Sequence, residues 1–319
     1  MNTVSGRVVY YLLYSGWYLL SLLPMWFHYL MSDVLYVIIG LVIRYRRRVV
    51  DKNLRASFPE MSDEEIVRLR RRFYRFFCDY IAETVKFATM KMDNIKRRMK
   101  FHGMERVIEA LNEGKSIAMY LGHYGNWEMV TSIRQWLGEM PNGGFGHVYH
   151  PLENEVFDRL FLTFRNRMGS QSIAMNDILR WIITQRQGGH PTLVGYISDQ
   201  VPLWWNIHHW TTFMNQDTPV LTGVERIARR ERQAVIYLDI VCVKRGYYEG
   251  TIRWITDDAS TMPEFAITDE YFRLLETTIR RAPQYWLWSH NRWKRTREEF
   301  DRLYEIVNGR VVERKQPLP

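Results

Sequence analysis

The chain has 319 residues, of which 46% are hydrophobic, so wholesale disorder is excluded and one or two folded domains are expected. Its 44 Lys and Arg exceed its 35 Asp and Glu, and the net charge of +9 predicts an acidic partner: nucleic acid, anionic lipid, or an acidic carrier or substrate. Its two cysteines, Cys78 and Cys242, are far apart and form no CxxC pair, so they indicate neither a zinc site nor a disulfide framework.

The N-terminal region is apolar enough to enter a membrane. Val8–Met31 carries no formal charge and exceeds the roughly 20 residues that a spanning helix needs. Pro24 lies inside this stretch and predicts either a kink or a division into two helices. A second apolar run, Val34–Ile43, is too short to span alone. We expect one tilted span followed by an interfacial helix, or a helical hairpin that dips into one leaflet. A buried hairpin of a soluble domain is the alternative.

A basic cluster, Arg44-Tyr45-Arg46-Arg47-Arg48, follows the apolar region. Basic residues beside an apolar segment mark the cytoplasmic side of a membrane and attract anionic headgroups. We therefore expect the rest of the chain to lie on the cytoplasmic face.

Strand and helix signals alternate after the basic cluster. Ser62 and Glu65 have the spacing of a capping box, which predicts a helix over Ile66–Phe87. The alternating order that follows predicts an α/β fold with a mixed sheet flanked by helices. A membrane anchor (1–48) and one catalytic domain (49–319) are the simplest division. The predicted strands are 116–121, 147–149, 192–197, 234–243 and 248–255, and the predicted helices are 156–168, 178–185, 220–230 and 270–281.

A His-x4-Glu pair follows the first buried strand, in the segment Gly122-His123-Tyr124-Gly125-Asn126-Trp127-Glu128. On one straight helix His123 and Glu128 would lie about 140° apart and could not act together. We therefore expect His123 on the turn and Glu128 in the first turn of the next helix, with its carboxylate folded back to His123 Nδ1. Such a histidine keeps Nε2 free as a general base for a hydroxyl proton.

This motif resembles that of the lysophospholipid acyltransferase superfamily, and more closely that of the bacterial lipid A late acyltransferases. Further blocks in the family's order carry the resemblance: 51–60, 148–154 with 165–169, 197–200, the segment from Phe213 to Gly223, and 284–294. It covers nearly the whole chain. It implies a glycerol-3-phosphate acyltransferase-like fold and transfer of a lauroyl or myristoyl group to a lipid A precursor.

The resemblance also implies partners and site residues. The donor would be an acyl chain on the acidic acyl carrier protein, and the acceptor an anionic glycolipid of the cell inner membrane, with neither cofactor nor metal. His123 would be the base and Glu128 its partner. Arg165 and Arg167 would pair with acceptor phosphates or acidic sugars. The residues expected to contact substrates are Gly125, Asn126, Tyr149, His150, Arg165, Arg167, Asp199 and Gln200.

Two departures leave the acceptor open, and one is that the family often has Arg-Arg where this chain has Asn291-Arg292. The family's second block reads Tyr-Arg-Pro, whereas this chain has Tyr149-His150-Pro151. An amino-acid lipid or a lysophospholipid therefore remains an alternative acceptor. Two other classes of protein remain as alternatives, a nucleic-acid-binding module and an inactive membrane scaffold. The sequence has no RNP-like, zinc-finger or basic-zipper pattern, which argues against the first.

Overall fold

The computed structural model describes residues 4–138 and 144–316. The first three residues of the predicted anchor and the last three of the predicted catalytic domain lie outside the described residues.

The helices are α1 (Val4–Leu22), α2 (Met25–Leu35), α3 (Arg47–Ser57), α4 (Asp63–Phe87), α5 (Met92–Arg98), α6 (Met104–Asn112), α7 (Glu155–Arg165), α8 (Ile178–Gln187), α9 (Gly223–Arg230), α10 (Ala266–Arg281) and α11 (Arg297–Leu303). The strands are β1 (Met99–His102), β2 (Ile117–Leu121), β3 (Gly144–Tyr149), β4 (Gln171–Ala174), β5 (Thr192–Ile197), β6 (His209–Phe213), β7 (Gln216–Val220), β8 (Ala234–Lys244), β9 (Tyr247–Thr256), β10 (Tyr304–Val307) and β11 (Arg310–Glu313).

A seven-stranded mixed sheet with the order β1-β9-β8-β2-β5-β3-β4 forms the centre of the fold. Its neighbouring strands are parallel except β8 and β9, which form an antiparallel hairpin. Every residue of β2 is buried, as expected for a central strand of a parallel sheet covered on both faces. The predicted α/β fold with a mixed sheet flanked by helices is confirmed.

The N-terminal region forms two helices rather than one. Helix α1 ends at Leu22, and Pro24 takes the N-cap position of α2, where its missing N–H costs no helical hydrogen bond. Helix α2 continues as a π-helical segment, Tyr36–Val42. Among the residues that the structure describes, the one helix long and apolar enough to cross a membrane is Met25–Val42, whereas the uncharged stretch Val8–Met31 is divided at Pro24.

Sequence patterns located the long elements and missed the short ones. The capping box is present: Ser62 Oγ accepts from the Glu65 amide, and the Glu65 carboxylate accepts from the Ser62 amide. The strand β1 alternates buried and exposed residues over four positions, too short a pattern to recognise alone. The predicted helix at 220–230 begins only at Gly223, because Val220 ends β7.

Candidate active site

Two loops meet at the carboxyl ends of the adjacent parallel strands β2 and β5. Leu121 at the end of β2 is paired with Ile197 at the end of β5. His123 and Asp199 follow these residues by two positions each, so the register of the sheet brings them together. Gly122 lets this loop pack closely against Leu275 of α10, because a Cβ at residue 122 would lie 2.5 Å from the Leu275 side chain.

His123 and Asp199 form the central hydrogen bond of this site. The Nδ1 of His123 lies 2.5 Å from Asp199 Oδ1, and the His123 backbone amide donates to Asp199 Oδ2 at 2.9 Å. The indole N–H of Trp286 donates to the same Oδ2 at 2.7 Å. Burial would raise the pKa of Asp199, but the His123 charge and these hydrogen bonds lower it to about 2. Asp199 is therefore an anion that accepts the Nδ1 proton and leaves Nε2 of His123 as the basic nitrogen.

The expectation that Glu128 holds His123 Nδ1 is wrong. Both Glu128 oxygens accept from Arg165 instead, from Nε at 2.7 Å and from Nη2 at 2.5 Å. Glu128 does lie just inside a helix, the 3₁₀ segment Trp127–Trp136, but its side chain extends toward α7 rather than back to the turn. Burial opposes ionisation of Glu128, yet the hydrogen bonds and charge of Arg165 lower its pKa below the ordinary value. The sequence motif therefore supplies the candidate base and the carboxylate of a separate ion pair, Glu128–Arg165.

A cavity of about 280 Å³ opens beside Nε2 of His123. Its walls combine the polar groups of the site with apolar side chains from the sheet, and Gly146 and Gly195 leave room on neighbouring strands. A cavity lined by both apolar and polar side chains, with a histidine at one side, can hold the apolar part of a ligand beside the imidazole. The apolar walls are Met119, Leu121, Trp127, Val130, Phe145, Val148, Leu152 and Ile197.

Four of the predicted substrate-contacting residues line this cavity: Tyr149, His150, Arg165 and Gln200. The amide Nε2 of Gln200 lies 3.2 Å from Nε2 of His123, where an acceptor hydroxyl would have to bind. His150 is exposed at the rim, and its Nδ1 lies 2.9 Å from the carbonyl of Pro151. Asp199 contacts His123 rather than the cavity and so has a different function from the one predicted.

Gly125 and Asn126 shape the loop and do not line the cavity. Gly125 has a φ of 61°, which a residue with a Cβ rarely adopts, and its amide donates to the Tyr285 carbonyl at 2.9 Å. Asn126 is buried; its Oδ1 caps the following 3₁₀ helix, and its Nδ2 donates to Glu83 at 2.9 Å. The loop turns both residues into the protein, which argues against their predicted substrate contacts.

Arg167 is also directed away from the site. Its guanidinium donates to the backbone carbonyls of Phe87 and Met90, at the end of α4, and so connects α4 to the segment after α7. Arg167 therefore does not line the cavity, and its bonds to main-chain carbonyls argue against the predicted contact with an acceptor phosphate. Arg165 and Arg167 are two residues apart on a helical segment, so their side chains point in different directions. The sequence block did not show which of the two faces the cavity.

Sequence reasoning missed His147 and Trp286. His147 lies on β3 in the cavity wall, its Nε2 is 2.7 Å from Ser172 Oγ, and burial lowers its pKa to about 4, so it is neutral. Trp286 belongs to the Trp-rich C-terminal block, which indicated a resemblance but no contact. The family block 197–200 marked Asp199 as a site residue, but the only signal for its contact with His123 was that each follows a buried strand by two residues.

Comparisons with known proteins show which family the chain resembles. A sequence model described as bacterial lipid A biosynthesis acyltransferase matches residues 3–295. The chain is 21% identical over 292 residues to a lipid A biosynthesis acyltransferase of Haemophilus influenzae, covering 90% of this chain and 87% of that protein. It is 22% identical over 258 residues to a lipid A biosynthesis palmitoleoyltransferase of Escherichia coli, covering 79% and 80%. A lipid A biosynthesis acyltransferase of Shigella flexneri matches with the same identity and coverage.

Proposed function

The chain belongs to the bacterial lipid A biosynthesis acyltransferase family and is an acyltransferase, and we propose that it moves a fatty acyl chain from acyl carrier protein to a hydroxyl of a lipid A precursor. The observation that carries the proposal is the His123–Asp199 pair at the side of the apolar cavity. We also propose that residues 1–48 anchor the chain at the inner membrane, with the acyltransferase domain, 49–319, on the cytoplasmic side.

His123 acts as the general base in this proposal. Asp199 accepts the Nδ1 proton, so Nε2 presents a lone pair, and the Gln200 amide donates to it at 3.2 Å. The acceptor hydroxyl takes the place of that amide, gives its proton to Nε2 and attacks the thioester carbonyl carbon. The carbon–sulfur bond then breaks, and the imidazolium returns the proton to the leaving thiolate. Asp199 stabilises the imidazolium through this sequence.

The Glu128–Arg165 pair supports the reaction from the cavity wall. Arg165 lines the cavity with a quarter of its side chain exposed, whereas Glu128 is buried. Two hydrogen bonds hold the guanidinium in place, so its positive charge needs no reorganisation when negative charge develops on the thioester oxygen. Glu128 is then a positioning residue for Arg165 and not the partner of the base.

The acidic donor protein is supported by charge. The net charge of +9 attracts a negatively charged carrier and raises the rate of encounter. His150 at the cavity rim replaces the arginine of the family pattern, and this favours keeping an amino-acid lipid or a lysophospholipid as the alternative acceptor.

The direct test is an assay of the purified full-length enzyme with acyl carrier protein thioesters and lipid A precursor. We expect one added acyl ester on the precursor, detected by mass spectrometry, and no detectable transfer by the His123→Ala variant. In parallel, the lipids of a deletion strain should lack one acyl chain on lipid A. A missing acyl chain on a different lipid class would establish the alternative acceptor.

A further inference from the structure

The helix Met25–Val42 has one face on the protein and one face uncovered. His28 and Ser32 are fully buried against α4, where Ser32 Oγ donates to Asp79 at 2.6 Å. Tyr29 donates to the buried Glu83 of α4 at 3.2 Å. The opposite face is apolar and exposed, and consists of Trp26, Leu30, Val34, Val37, Ile38, Leu41 and Val42.

A charged cluster lies halfway along this helix. Asp33 is 65% exposed and pairs with Arg245 at 2.8 Å. Arg245 is in the turn between β8 and β9, and it also donates to Asp79 of α4. If Met25–Val42 crossed a bilayer, this cluster and the turn would lie near the centre of the hydrocarbon. Charged side chains are strongly disfavoured there, and irregular backbone facing lipid is not tolerated.

Helix α1 is held on the protein in the same way. Tyr10 is buried against α7 and lies 3.1 Å from Thr163 Oγ1. The Trp17 indole donates to the Val85 carbonyl at 3.1 Å, and Lys86 donates to the Ser21 carbonyl at 2.7 Å. A crossing α1 would carry the Lys86 end of α4 into the membrane with it. Its uncovered side is also apolar, and consists of Val8, Val9, Tyr11, Leu12, Tyr18, Leu19 and Leu22.

Exposed arginines border the apolar face. Arg71, Arg72 and Arg75 share one side of α4, and the Arg75 guanidinium lies 5.1 Å from the centre of the Tyr36 ring in the π-helical segment. Arg44 and Arg48 continue this border on the chain that follows. Within residues 4–138 and 144–316, none of these five arginines forms an ion pair with an acidic side chain. An apolar face bordered by arginines matches the boundary between the acyl chains and the anionic headgroups of a bilayer.

We propose that α1 and Met25–Val42 lie in the plane of one leaflet, that neither crosses the bilayer, and that Arg44, Arg48, Arg71, Arg72 and Arg75 bind anionic lipid headgroups at its surface. A bilayer is favoured over an acidic protein as the binding partner because it covers the apolar face and the arginines together. An acidic protein docked on the arginines would leave the apolar face exposed to water. The inference rests on the proposed membrane anchor and its cytoplasmic side, and it does not depend on turnover.

Cysteine labelling tests the topology. In a Cys78→Ala, Cys242→Ser background, single cysteines are placed by Arg7→Cys, Leu23→Cys and Arg44→Cys, with Arg302→Cys as the reference on the catalytic domain. We expect a membrane-impermeant maleimide to label none of the four in intact spheroplasts, and to label Arg7→Cys and Arg44→Cys in inverted vesicles as it labels Arg302→Cys. Labelling of Arg7→Cys, Leu23→Cys or Arg44→Cys from the outer side would show a crossing helix and overturn the proposal.

Vesicle binding tests the arginines. The full chain, diluted from detergent, is bound to phosphatidylcholine vesicles with or without phosphatidylglycerol. We expect Arg71→Glu/Arg72→Glu/Arg75→Glu to weaken binding to the anionic vesicles roughly ten-fold or more and to change binding to the neutral vesicles much less. The matched control, Arg180→Glu/Arg226→Glu/Arg302→Glu, has the same charge change at exposed positions away from this border. Equal losses in both triple variants would overturn the headgroup site. So would unchanged vesicle binding with a raised KM for acyl carrier protein, which would assign the arginines to that protein.

Discussion

The imidazole of His123 is bound to Asp199, 76 residues away, and not to Glu128, five residues away. The register of two parallel strands places the first pair together. In the second pair, Glu128 lies in the first turn of the 3₁₀ helix Trp127–Trp136, and its side chain is directed to Arg165. The two carboxylates of the site therefore have different functions.

Asp199→Asn should lower kcat by roughly 10²–10⁴-fold with little change in either KM. An amide cannot stabilise the imidazolium, and it can donate to Nδ1, which would place the imidazole proton on Nε2. Steady-state kinetics and circular dichroism of the purified variant check this. Trp286→Phe removes a single hydrogen bond to Asp199 and should have a smaller effect. A near-normal kcat for Asp199→Asn would contradict the assignment of Asp199.

Arg165→Ala should destabilise the protein more than the double variant Arg165→Ala/Glu128→Gln. The single change leaves the buried Glu128 without its partner, at a cost of about 3–5 kcal/mol, whereas the double change also removes the charge. Urea unfolding of the two single variants and the double variant gives the coupling free energy. Additive effects would show that the pair contributes nothing to the folded state. Both Arg165 variants should lose activity, since each lacks the guanidinium in the cavity.

Arg167→Ala should lower stability by about 1–3 kcal/mol and leave the KM for the acceptor unchanged. The lost interactions are hydrogen bonds from a charged group to the Phe87 and Met90 carbonyls, far from the reacting atoms. Thermal unfolding and acceptor kinetics measure the two quantities separately. A raised KM with normal stability would return Arg167 to the acceptor site.

Glu83 should make stability fall as pH rises from about 4.5 to about 7. Burial raises the pKa of this carboxyl group to about 7, against the hydrogen bonds from Asn126 and Tyr248 that favour the ionised form. Between these pH values the folded state holds a proton that the unfolded state has released, so the free energy of unfolding decreases with pH. Glu83→Gln should flatten this slope in urea titrations at pH 5, 6 and 7. The exposed Glu109→Gln serves as control and should keep the slope.

Gly122→Ala should reduce activity by displacing the loop of His123. The added methyl group would meet Leu275 at 2.5 Å and approach Asp199 Oδ2 to 3.4 Å. The second-site change Leu275→Ala vacates that space and should restore part of kcat, although it removes core packing by itself. If Gly122→Ala is fully active, the loop has more freedom than this packing allows.

The sequence by itself determined the family and the mixed α/β fold, and it singled out His123 as the candidate base. Long buried strands, the capping box at Ser62 and the blocks around His123 are local patterns, and local patterns can be read without knowing how distant segments meet. The same reasoning located the apolar N-terminus and its basic border. It failed where a residue's contact depends on direction rather than position, as for Glu128, Asn126 and Arg167.

The tertiary structure alone decided which carboxylate serves His123 and how the N-terminal helices are held. A parallel sheet joins strands that are distant in sequence, so the Asp199 contact depends on a register that no local pattern encodes. Likewise, Met25–Val42 is long and apolar enough to cross a membrane. The contacts of Ser32 with Asp79 and of Asp33 with Arg245 nevertheless fasten one face of this helix to the protein. In both cases long-range packing selected one arrangement among several that the local sequence permitted.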